Sequence, residues 1–92
     1  MMNLARIPEH MRDAVLDYVN NGREPGGFLG AVLTNNLVEA FSRADHINTE
    51  AMRDWAHLLY WELPCDCWGS EAIVEAWIKK HLAPQTEAEG GE

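Results

Sequence analysis

Along four stretches of this chain, apolar residues return every three or four positions, the spacing that lines one face of an α-helix, and short polar or Gly- and Pro-rich segments separate them. Pro8 and Glu9 suit a helix start, after which Met11, Ala14, Val15, Tyr18 and Val19 form the first stripe, ending at Asn20, Asn21 and Gly22. GREPGG, residues 22–27, reads as a turn. From Phe28 to about Arg43 a second stripe carries Leu29, Val32, Leu33, Leu37, Ala40 and Phe41. Asn48 is the expected N-cap of a third helix, with Met52, Trp55, Ala56, Leu59 and Glu62 in line before Leu63-Pro64 closes it. PCDCWGS, residues 64–70, reads as a structured loop in which Trp68 buries its ring. Ser70 caps a last helix bearing Ile73, Val74, Trp77, Ile78 and Leu82. The pattern predicts an all-α fold, a bundle of about four helices around one core with the Trp68 loop as a lid.

A chain of 92 residues has room for one small core. Residues 1–83 are read as a single helical domain and 84–92, PQTEAEGGE, as a disordered acidic tail with nothing to bury. The formal net charge is -8, and removing the three tail acids Glu87, Glu89 and Glu92 leaves about -5 on the body. A surface of that sign repels phosphate backbones, so no direct nucleic-acid binding is expected. Cys65 and Cys67 stand one residue apart, too close for an unstrained bridge, and are read as reduced thiols filling space around Trp68. The N-terminus lacks a signal-peptide pattern and no apolar run approaches the roughly 20 residues of a membrane span, which points to the cytoplasm.

The second stripe holds an anomaly: Asn36 falls in its middle, facing the core, while Asn35 lies to one side beside Phe28. An unpartnered amide among hydrocarbon costs on the order of 1–3 kcal/mol, so Asn36 must either tie the helix to a neighbouring loop or face a pocket. Glu39 and Arg43 form a polar edge next to it at ion-pair spacing. LLYW, residues 58–61, puts large apolar groups on every face of its helix, more than so small a core covers, so Tyr60 and Trp61 are candidates for an interface or ligand contact and for self-association. The candidate partner-binding set is therefore Asn35, Asn36, Arg43, Tyr60 and Trp61.

Nothing points to catalysis. No hydrolase, metalloprotease, phosphate-loop or dinucleotide fingerprint occurs, and the Asp45-His46 and Asp54/His57 neighbours read as surface pairs. The two cysteines and four scattered histidines lack zinc-site spacing, so neither a metal nor another cofactor is expected.

PGGFLGAVLTNNLVEAFSRAD, the later YWELP and CWGS, and the spacing between them resemble a group of short, largely uncharacterised proteins of tailed bacteriophages and prophages, over most of residues 8 to 78. The resemblance implies a phage setting and supplies no catalytic or binding residue. It implies a non-enzymatic accessory protein that binds and disables a host or anti-phage defence component, CRISPR inhibition being one such counter-defence. The alternative is a sponge that sequesters a nucleotide or cyclic-nucleotide signal in a pocket at a subunit boundary, lined by Asn35, Asn36, Arg43 and an aromatic.

Overall fold

A computed structural model of the chain describes residues 2–90, with side chains as far as residue 82. Every regular element among the described residues is helical: α1 (Glu9–Asn21), α2 (Gly27–Leu33), α3 (Leu37–Arg43), α4 (His46–Glu50), α5 (Met52–His57), a π-helical turn (Leu58–Glu62) and α6 (Glu71–Gly90). The all-α expectation holds. The expected second helix, however, is two helices, and the third is a broken run of two helices and the π-turn. Of the segment read as a disordered tail, no side chain is described, and residues 91–92 lie outside the description altogether.

Local chemistry sets these boundaries. α1 ends where Gly22 takes a left-handed φ of 66°, its N–H bonding to Tyr18 O while Arg23 N–H reaches Asp17 O. A Cβ on Gly22 would lie 2.5 Å from His81 Cβ, so glycine also lets α6 approach α1. The third helical run starts earlier than its sequence suggests: Asp45 is the cap, its carboxylate accepting the Asn48 N–H at 2.7 Å, and α4 begins at His46. Ala51 (φ -96°, ψ 9°) separates α4 from α5. The π-turn closes with Leu63 N–H bonded to Leu58 O at 3.0 Å.

Asn48 is thus no cap. It is 2% exposed, a buried polar residue in the core, and its Oδ1 accepts the indole N–H of Trp55 at 3.2 Å. Trp55 meets Phe28 edge-to-face, with ring centroids 5.3 Å apart. Around this pair gather Ile7, Val15, Leu29, Val32, Leu33, Leu58, Leu59, Val74 and Trp77 in one core. Each side chain of that size contributes about 1.5–3 kcal/mol when fully buried.

The 64–70 loop is a lid, though Trp68 is only partly buried and the plug is Cys67, which is completely covered. The Tyr18 hydroxyl donates to Cys67 O at 2.7 Å, and Gly69 N–H donates to Leu33 O at 2.7 Å. Trp77 Nε1 donates to Tyr18 O at 3.0 Å, so α1, the lid and α6 are stitched through one buried network. Cys65 is exposed, contrary to its expected role as a filler, because the loop turns its side chain outward. Ser70 caps α6 as expected, accepting Ile73 N–H at 3.2 Å. No helix among the described residues is long and apolar enough to cross a membrane.

Candidate functional site

Three residues shape the site. Asn35 adopts φ 64°, the left-handed conformation that commonly terminates helices and that asparagine tolerates better than most residues. Asn36 N–H returns to Ala31 O at 3.0 Å and Asn35 N–H to Val32 O at 3.1 Å, the paired bonds of a Schellman motif. Thr34 adds its hydroxyl to Gly30 O at 2.9 Å. The Asn36 side chain then accepts Glu39 N–H at 3.3 Å and caps α3. One residue therefore closes α2 and opens α3.

This overturns the reading of Asn36 as a buried amide facing the core. A continuous helix places it on the apolar stripe, whereas the left-handed Asn35 swings the chain and leaves the Asn36 side chain exposed. The same turn redirects the second half of the stripe. Of α3, only Ala40 is buried, while Leu37 is 65% exposed, Val38 80% and Phe41 47%.

Between α3 and α5, over the floor made by Ala31 and Val32 of α2, lies a cavity of about 310 Å³. That is at the small end of the range for ligand and anchor pockets. Leu37 and Phe41 form one wall, Met52, Ala56 and Leu59 the other, and Trp55 closes the base. Among the described residues, Asn35, Asn36 and Arg53 bring amide and guanidinium groups to its lining.

The expected set is brought together only in part. Asn35 and Asn36 share the groove. Arg43 instead pairs with Glu39 one turn away, and its guanidinium lies over Gly27, where a Cβ would come within 3.0 Å of it. It lines, with Asn36, a second and more polar hollow of about 530 Å³ that also holds Glu24, Glu71 and Glu75. Tyr60 and Trp61 stack edge-to-face at 4.8 Å on the π-turn, 70% and 67% exposed, and neither lines either cavity.

The residue that sequence reasoning passed over is Arg53. Arg6 and Arg23 face Asp54 and Asp17, Arg12 donates to the carbonyls of Ile7 and Ala5, and Arg43 holds Glu39. The side chain of Arg53, exposed at the groove's rim, has no hydrogen-bond or ion-pair partner among the described residues. Burial, then the neighbouring Asp66 carboxylate, pushes the Cys67 thiol up to about 11, so it stays protonated and inert at neutral pH. Among the described residues, no group of three or more His, Cys, Asp or Glu is placed to hold a metal ion. The chain matches no family model, no curated protein and no solved structure.

Proposed function

We propose that this chain is a stoichiometric protein-binding module that docks a partner on the α3/α5 groove, acting by occupancy and not by chemistry. The observation that carries the reading is the exposure of Leu37, Val38 and Phe41 on a seven-residue helix beside an apolar cavity. Adjoining apolar surface of this kind, edged by polar groups, is typical of interaction sites on small domains. The resemblance to short phage and prophage proteins supports a setting inside a bacterial host, with a host or anti-phage defence protein as the target. Exposed Tyr60 and Trp61 form a separate aromatic surface that supports self-association.

Affinity capture from bacterial lysate with the full chain tests the proposal. Val38→Asp and Phe41→Asp should lose the captured protein, while Leu16→Asp on α1 should retain it. A nucleotide panel should leave the melting temperature unchanged. Capture that survives both α3 substitutions, or a gain of several degrees with one nucleotide, would refute docking through this face, since a ligand at 100 times its dissociation constant adds about 2.7 kcal/mol.

A further inference from the structure

Docking in the groove brings a partner against Arg53, which lines it and whose side chain has no partner among the described residues. A guanidinium desolvated without an acceptor is costly, so a partner that fits this surface must bring one, and a carboxylate satisfies the planar fork best. The form of the partner follows from the walls. Both are helix surfaces whose apolar side chains stand at helical spacing, Leu37 and Phe41 on one, Met52, Ala56 and Leu59 on the other. Such walls complement the ridges of another helix. Strand addition has no template, since the described residues contain no strand.

We infer that the groove receives an amphipathic helix of a protein partner, with apolar anchors in the cavity and one Asp or Glu paired with Arg53. This rests on the docking reading. The wall runs from Met52 to Leu59, eight residues or roughly 12 Å of helix axis, so the docked contact is about two turns long. With a formal charge of -8 on the chain, a uniformly acidic helix is repelled at long range. The acid is therefore a single specificity group on an otherwise neutral or basic helix.

The test uses the full chain and a displayed library of helix-forming peptides of about 14 residues, near the length at which isolated helices begin to hold. In the library, apolar residues are fixed at i, i+3, i+4 and i+7, and the flanking positions are varied. Enriched peptides should share an acid in one register. Measured by fluorescence polarisation, Arg53→Glu should weaken the best of them at least tenfold, and exchanging the peptide's acid for lysine should restore binding to Arg53→Glu. Peptides whose binding is lost with Phe41→Asp yet unaffected by Arg53→Glu overturn the carboxylate inference and leave groove docking intact. If no peptide binds in a manner sensitive to Phe41→Asp, both readings fall. A concentration-dependent dimer of the unliganded chain that Phe41→Asp abolishes would make a second copy the occupant and also overturn the inference.

Discussion

Replacing the two asparagines of the α2/α3 turn one at a time changes stability in opposite directions for a broken and a continuous helix. In the observed turn Asn35 holds φ 64°, where an alanine Cβ adds strain of about 1 kcal/mol and glycine adds none. Asn36 supplies the α3 cap through a 3.3 Å bond, and its loss to alanine costs about 0.5–1 kcal/mol, the lower half of the usual range for an exposed cap. At position 35 the stability order is then Gly equal to or above Asn, with Ala lowest; at position 36, Asn exceeds Ala. Within a continuous helix both orders reverse. Alanine gains about 0.6 kcal/mol of propensity over asparagine, and at position 36 it also removes a buried amide worth on the order of 1–3 kcal/mol. Urea unfolding followed by tryptophan fluorescence separates the cases, because 1 kcal/mol moves the midpoint by roughly 0.5–1 M for a small domain. A rise in midpoint for Asn36→Ala would refute the broken-helix account and the exposed α3 face with it.

Asn48→Ala should destabilise by about 2 kcal/mol, since the buried Trp55 indole N–H loses its acceptor, and thermal melts should show a fall of roughly 4–8 °C per kcal/mol. With Ellman's reagent at neutral pH the native chain should react quickly at Cys65 only, and Cys67, covered and pushed up to about 11, should react after unfolding. The Asp45 carboxylate is held below its ordinary value, first by the Asn48 N–H and also by the His10 side chain. A lowered native value means the stabilisation is present above the ordinary carboxylate range and is lost as pH falls through the lowered value. Acid unfolding of Asp45→Asn should therefore be less steep with pH than that of the wild type.

The helical class and most of the core were legible because Val15, Tyr18, Leu29, Val32, Leu33, Trp55, Leu59, Val74 and Trp77 recur at helical spacing, and all are buried. The stripe misled at one point. Leu37 and Phe41 continue its phase beyond Leu33, but left-handed Asn35, between Leu33 and Leu37, resets the phase, and periodicity is blind to that. Asn35 and Asn36 followed by Glu39 do carry the signature of a helix end and a capped start. The rule that a buried asparagine must find a partner is obeyed in this core, at Asn48 with Trp55, twelve residues beyond the position to which the pattern assigned it. Arg43 looked available because its spacing to Glu39 marks only an ion pair, and the sequence does not reveal that Gly27 lies beneath it. Arg53 could not be singled out, because being unpaired is a property of the assembled fold.

Site-specific photocrosslinking tests the docking claim most directly. A benzophenone amino acid placed at Val38 and, as a control, at Leu16 would be activated in bacteria expressing the full chain. The account predicts a discrete protein adduct from position 38 that Arg53→Glu diminishes, and none from position 16. Adducts from position 16 alone, or from both positions equally, would contradict it.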